Sequence, residues 1–216
     1  MTPKSRKYSG YYSVHNQTHN HIKWHLGKNW QQLHPAVQRR FNRLPTEQNP
    51  IVYSGIMEVV KCSRAGWLFA FLTKIIGNPL SPHQGTNVPM EVTLTTRENK
   101  IGVYWKRTYH FPDKKPFSVT SVKKDDKGQM MEMVGGGFGM FLDVFAQDGE
   151  LHFKSTRYFW KFFNWYLPLP HWLSPGQTHV IHQDLGAGEF RFTITMTHSF
   201  LKRTFYQTGV FHEKTN

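Results

Sequence analysis

KIGVYWKRTYHF, residues 100–111, alternates between apolar and polar side chains. The two-residue period is that of a β-strand with one face on a core. The apolar register holds Ile101, Val103, Trp105, Tyr109 and Phe111. It also holds Arg107, whose guanidinium is costly to bury unless a carboxylate, carbonyl groups or water meet it. The stretch therefore predicts a strand facing an interior that is not wholly dry.

The same alternation recurs on both sides of this stretch. Further strands are predicted at 51–61, 88–95, 117–124, 129–134, 138–146, 150–158, 177–184, 189–197 and 201–211. Asp148-Gly149 matches the mirror-image turn that a two-residue hairpin needs. Because parallel pairing would need crossovers of a dozen residues or more, these nine to ten strands predict an antiparallel meander. A sheet of that length curls into a barrel or half-barrel.

Two helices are predicted in the first half of the chain. Between Lys28 and Leu44 apolar residues recur at helical spacing, with a restart at Pro35, a residue tolerated in a first turn. Ser63 is a candidate N-cap for a second helix over 64–76, which is apolar on nearly all sides. We therefore expect an α+β, mostly β fold in which the first helix packs on the sheet. The second helix is expected to be buried or to close one end of the barrel.

The positive charge is concentrated near the N-terminus. The formal net charge is +13, and residues 1–44 contribute +8 of it, because they hold eight Lys or Arg residues and no acidic residue. Residues 1–24 are polar and basic without apolar periodicity, so we predict a disordered arm there. Residues 25–216 are predicted to form a single β-rich domain.

Several sequence features bear on the compartment. Cys62 is the only cysteine, so an intramolecular disulfide is excluded and nothing indicates an oxidising environment. The first residues lack the apolar region of a secretory signal. No window reaches the 18–20 apolar residues that a membrane-spanning helix needs. These features predict a basic cytoplasmic protein without a transmembrane segment.

A series of short motifs runs along the chain in a fixed order. They are WQQLHPAVQRRF at 30–41, GIM at 55–57, WKR at 105–107, Glu132 followed by GGGFG at 135–139, LPLP at 167–170, FRF at 190–192, Tyr206 and Gly209. In this order, over about residues 26–211, they resemble the family numbered 4166 among the domains of unknown function. The resemblance implies that family's fold and a service role beside an NAD(P)-dependent reductase. It supplies no catalytic residue.

Arg107 and Glu132 both belong to these motifs. A buried guanidinium needs a carboxylate that accepts its forked donors, so we expect the two to meet across the sheet. Two interpretations remain open. The pair either only fixes the strand register, or Arg107 faces a cavity and holds the acidic head of a fatty-acid-like or other amphiphilic ligand. The predicted ligand-binding residues are Trp105, Arg107, Tyr109, Glu132, Phe190 and Phe192.

The histidines and Cys62 are the candidates for a catalytic or metal-binding site. His182 and Asp184 share one strand face while His179 lies on the other, and no nucleophile elbow or Ser-His-Asp signature is present. The N-terminal histidines fit no defined ligand set; they are His15, His19, His21 and His25. Cys62 is interpreted as a small buried residue rather than a nucleophile. We predict no catalytic residue, no metal and no cofactor.

These observations favour a non-catalytic module that binds a hydrophobic or amphiphilic small molecule at a barrel mouth. One alternative is an enzyme, or an accessory domain to a reductase partner, with Arg107, Glu132, His182 and Asp184 around one cavity. Another is contact of the basic arm with an anionic membrane or with nucleic acid, and nucleic acid is disfavoured because no aromatic RNA-binding motif is present. The aromatic segment 158–166 is interpreted as a covered core edge, a lid, or a patch at a membrane surface.

Overall fold

The computed structural model describes residues 21–72 and 80–214. Helix α1 (His21–Leu26) leads through a 3-10 turn (Gly27–Gln32) into α2 (Pro35–Asn42), and α3 (Arg64–Leu72) follows the first strand. The strands are β1 (Ile51–Cys62), β2 (Gly85–Arg97), β3 (Lys100–Tyr109), β4 (Phe117–Asp126), β5 (Gln129–Met133), β6 (Phe138–Gln147), β7 (Glu150–Phe162), β8 (Trp165–Pro168), β9 (Gln177–Gly186), β10 (Glu189–His198) and β11 (Lys202–Glu213).

The strands form a closed antiparallel barrel. Ten strands run up and down in chain order, with β8 as an extra strand beside the second half of β7. The ring closes where β1 pairs with β11, and every other pair of neighbouring strands in the ring is consecutive in the chain, apart from β7 and β9, which pair past β8. The predicted antiparallel meander is therefore confirmed, in its fully closed form. Closure removes the free sheet edges that a half-barrel would leave.

The segment α1–α2 closes one end of the barrel, which we call the plug end. The His34 amide donates to the Gly149 carbonyl at 2.9 Å, which ties the start of α2 to the β6–β7 turn. Phe41 of α2 enters the interior, where its ring centroid lies 6.4 Å from that of Trp105 and 4.9 Å from that of His182. A side chain from α2 therefore completes the core at this end.

Helix α3 lies at the opposite end, which we call the α3 end. Ser63 caps it as predicted, since the Ser63 hydroxyl accepts from the Gly66 amide at 3.1 Å. Gly66 lets the helix approach β11 closely, because a Cβ there would collide with the carbonyl oxygen of Thr204. The sequence predicted a helix over 64–76 that is either buried or closes one end of the barrel. Helix α3 lies at a barrel end with only one face buried, and 73–76 lie outside the described residues. Gly66 and Ala70 are buried, whereas Trp67 and Leu68 are about half exposed.

Two other boundaries differ from the sequence prediction. Helix α1 begins at His21, so the last four residues of the predicted arm 1–24 are helical, and residues 1–20 lie outside the described part of the chain. The restart at Pro35 is confirmed. Strand β7 continues to Phe162 and pairs with β8, although the prolines near this segment favoured irregular structure. Pro168 is tolerated because β8 is an edge strand.

Within the described residues, we find no helix with the length and apolar character needed to cross a membrane.

Candidate functional site

The barrel interior contains two neighbouring cavities. The larger, of about 370 Å³, lies toward the α3 end and has mostly apolar walls, including Tyr109, Met140 and Phe205. The smaller, of about 70 Å³, lies next to the plug and is lined in part by Phe41 and Trp105. Arg107 and Phe192 line both cavities. The larger cavity falls in the size range typical of small-molecule sites.

Arg107 belongs to a buried group of charges on three adjacent strands, β3, β4 and β5. Its Nη1 donates to the Ser121 hydroxyl at 3.1 Å, and that hydroxyl donates to Glu132 Oε1 at 2.5 Å. Arg107 Nη2 lies 3.5 Å from the same carboxylate oxygen. Lys123 Nζ binds the other oxygen, Oε2, at 2.9 Å. The expected meeting of Arg107 and Glu132 is therefore present, with Ser121 and Lys123 as further members.

This charge cluster, which comprises Arg107, Lys123 and Glu132, has two cations and one carboxylate. Lys123 and Glu132 are buried, and the Arg107 side chain is 13% exposed. Burial alone would raise the pKa of Glu132, but Lys123, Arg107 and the Ser121 hydroxyl together lower it to about 2. Burial lowers the pKa of Lys123, and Glu132 opposes that shift. Among the described residues, no other carboxylate lines either cavity. The interior therefore carries an excess positive charge.

The smaller cavity is bordered by buried polar atoms without partners. In the described part of the chain, neither Trp105 Nε1 nor His182 Nδ1 has a hydrogen-bond partner. Burial holds the pKa of His182 well below its ordinary value, and the nearby cations Arg40, Lys123 and Arg107 act in the same direction. His182 is therefore neutral at pH 7. Because buried polar groups are normally paired, this cavity favours water or a polar ligand group.

The predicted ligand-binding residues divide between the two cavities. Trp105 and Phe190 line only the smaller cavity, whereas Tyr109 and Glu132 line only the larger one. The single predicted pocket is therefore two spaces that meet at Arg107 and Phe192. Their part in ligand binding stays a prediction.

The four residues proposed for an enzyme do not surround one cavity. Asp184 lies at the plug end, where its carboxylate is 3.4 Å from Arg40 Nη2 and 3.3 Å from His34 Nδ1, and it lines neither cavity. His179 lies on the outer wall, with its Nε2 3.0 Å from His152 Nδ1. Burial raises the pKa of Cys62 to about 11, so its thiol stays protonated at neutral pH. In the described part of the chain, Arg107, Glu132, His182 and Asp184 are therefore dispersed and do not share one cavity.

Sequence reasoning missed two cations of the site. Lys123 shares a register with Val119 and Ser121 on β4, and all three are buried. It is thus the same kind of exception as Arg107, a cation in an apolar register. Arg40 lines the smaller cavity from α2, and its guanidinium lies 3.9 Å from the centre of the Phe190 ring. The helical pattern in the sequence did not show whether the Arg40 side chain faces the barrel or the solvent.

The buried histidines predict a pH dependence of stability. Burial lowers the pKa of His182, His152 and His179 below the ordinary 6.5. Below that pH the unfolded chain takes up protons that the folded chain does not, so the free energy of unfolding should fall as the pH is lowered. Urea denaturation between about pH 8 and pH 5 measures this slope. Glu132 contributes only below its ordinary 4.5, where its protonation in the unfolded state begins.

In the same experiment His182→Gln should have a shallower slope. The charged and titratable groups that face His182 are Arg40 from α2, Arg107 from β3, Lys123 from β4 and His152 from β7. A free energy of unfolding that is constant over this pH interval, or an unchanged slope in the variant, would contradict the assignment of neutral His182.

Comparison with known proteins agrees with the motif order. A family model described as "Domain of unknown function (DUF4166)" matches residues 33–211. The chain is also similar to a Bacillus subtilis (strain 168) protein called uncharacterized protein YndH, with 24% identity over 196 residues, which cover 86% of this chain and 93% of the relative. The family match spans strands β1 to β10 and most of β11. The chain therefore belongs to the DUF4166 family.

Proposed function

We propose that the barrel binds an amphiphilic small molecule with an acidic head group and does not transform it. The head group would lie at Arg107 and the apolar part in the larger cavity. One observation carries this proposal. In the wall of an apolar cavity of about 370 Å³, Arg107 lies beside Glu132, whose charge is already matched by Lys123, a buried cation that lines only the smaller cavity.

The excess charge supports an anionic ligand. A buried cation without a counter-charge is costly, so an acidic group beside it would be stabilised. A guanidinium has five N–H donors in a planar fork that matches a carboxylate. The fork of Arg107 is used only in part, by Ser121 and by a 3.5 Å approach to Glu132. Donors remain for a ligand that reaches Arg107 from either cavity.

A purely structural ion pair would not need Arg107. Lys123 already neutralises Glu132 at 2.9 Å, closer than Arg107 at 3.5 Å. The Lys123–Glu132 pair can therefore fix the strand register without a second cation. Arg107 is then the surplus cation of the charge cluster, and it is the member that borders both cavities.

Binding of laurate and of dodecanol, which have equal chain lengths, tests this function. Both chains can bury apolar surface in the larger cavity, but only laurate carries a charged head group. By calorimetric titration, we expect laurate to bind the wild-type protein at least about tenfold more tightly than dodecanol, as a hydrogen-bonded charge predicts. Arg107→Met should abolish this preference while it leaves dodecanol binding intact.

Lys106→Met is the matched control. Lys106 is the neighbour of Arg107 on β3, carries the same charge and points to solvent. This variant should keep the wild-type preference for laurate. Equal binding of laurate and dodecanol by the wild-type protein, or no binding of either together with no co-purifying molecule in native mass spectrometry, would refute the proposed function.

A further inference from the structure

The α3 end of the barrel exposes an unusual amount of aromatic surface. The exposed residues come from α3, from the β7–β8 hairpin and the segment after it, and from the β10–β11 turn. Their exposed fractions lie between 48% for Trp67 and 83% for Phe200, with Phe163, Trp165 and Trp172 between them. We call this surface the aromatic rim. Large exposed apolar side chains gathered at one end of a fold mark a site of interaction with a protein or a membrane.

The connections at this end are also almost free of acidic residues. In sequence, the described connections 63–72, 80–84, 110–116, 134–137, 163–176 and 199–201 contain one acidic residue, Asp113. Basic residues accompany the rim; they are Arg64, Lys114, Lys115, Lys202 and Arg203. At the plug end, by contrast, the turns carry acidic residues such as Glu98, Asp126 and Asp148. The plug end carries charges of both signs, because α1–α2 adds Lys and Arg residues there, whereas the aromatic surface at the α3 end is accompanied by charges of almost one sign.

The larger cavity reaches the aromatic rim. Leu72 of α3 and Leu173 line this cavity and are also 57% and 49% exposed. The same side chains thus form part of the cavity wall and part of the outer surface. A molecule held in the cavity would enter or leave beside the rim.

We propose that the aromatic rim docks peripherally on an anionic lipid bilayer. Trp and Phe side chains favour the interface between head groups and acyl chains, and Lys and Arg residues are attracted to anionic lipids. The basic residues beside the rim distinguish this partner from an apolar protein surface, which would gain nothing from them. Docking stands on this surface alone, whereas exchange of an acid between bilayer and cavity rests on the proposed function.

Co-sedimentation of the full chain with lipid vesicles tests the docking. We expect binding to vesicles of phosphatidylcholine and phosphatidylglycerol, and weaker binding to vesicles of phosphatidylcholine alone. The double variant Phe163→Ser/Trp165→Ser should bind the anionic vesicles at least about tenfold more weakly. Both side chains are largely exposed, at 79% and 73%, so the variant is expected to fold, which circular dichroism can verify.

Trp24→Ser is the matched control, because Trp24 is 64% exposed but belongs to α1 at the plug end. It should bind vesicles like the wild type. Unchanged binding of the double variant would overturn the proposal. Self-association that the double variant abolishes, without vesicle binding by the wild type, would overturn it in favour of a second copy of the chain. Arg107→Met should still bind vesicles, so loss of ligand binding and loss of docking are distinguishable.

Discussion

Substitution of Glu132 by glutamine should lower the free energy of unfolding by about 3–5 kcal/mol, because it leaves two buried cations without a counter-charge. Glu132 binds Lys123 at 2.9 Å and lies 3.5 Å from Arg107; Glu132 and Lys123 are buried, and Arg107 is only 13% exposed. Glutamine keeps the size of the side chain and removes only its charge. Urea denaturation at neutral pH measures the difference.

Arg107→Met is the informative partner to this variant. It leaves Lys123 and Glu132 as a balanced pair, so the free energy of unfolding should change by less than about 1.5 kcal/mol. Such a small cost would mean that Arg107 serves something other than stability, as functional residues often do. If Arg107→Met destabilises the protein as much as Glu132→Gln, then Arg107 is a structural part of the cluster and the excess-charge argument fails.

Phe41→Ala should lower the free energy of unfolding by about 3–5 kcal/mol, the usual range for loss of a buried phenyl ring. Phe41 extends from α2 into the barrel and is buried there. Its ring centroid lies 6.3 Å from that of Phe153 and 4.9 Å from that of His182. The variant removes the contact through which the plug joins the core. Thermal and urea denaturation both report the loss.

Phe200→Ala provides the comparison for that variant. The same ring is 83% exposed in the β10–β11 turn, so its loss should change the free energy of unfolding by no more than about 0.5 kcal/mol. If Phe41→Ala and Phe200→Ala lower the free energy of unfolding equally little, then the segment α1–α2 only contacts the end of the barrel and does not complete its core.

The barrel could be predicted because each wall strand has one face on the core. The alternation at Trp105 and Tyr109 therefore appears directly in the sequence. The same register identified Arg107 as an inward cation, and the need for a carboxylate led to Glu132. Both predictions depend only on the two-residue period of a strand and on the cost of burying a charge, and the structure confirms both.

The division of the interior into two cavities could not be predicted in this way. It depends on which side chains the plug inserts between the walls, and Phe41 reaches Trp105 and His182 only after the barrel has closed. No local pattern encodes such a distance. Lys123 could have been predicted as an inward-facing cation, since it breaks the apolar register of β4 just as Arg107 breaks that of β3.

The surface of α3 illustrates a different limit. A helix that is apolar on nearly all sides has no stripe that marks which face packs on the rest of the protein. The sequence therefore could not show that α3 would pack with one face only. The structure leaves Trp67 and Leu68 about half exposed.

The β7–β8 hairpin was missed because proline and aromatic residues were interpreted as a break, although an edge strand accepts proline at Pro168.

The seam between β1 and β11 bears on how the chain is made in the cell. Cys62 is paired with Phe205, so the first strand obtains its second neighbour only after the last strand has left the ribosome. At about 5–20 residues per second, β1 waits roughly 8 to 30 seconds with one edge unpaired. During translation this edge is a template for pairing with other nascent chains. We therefore expect chaperone dependence to be greatest for variants that slow the joining of these two strands.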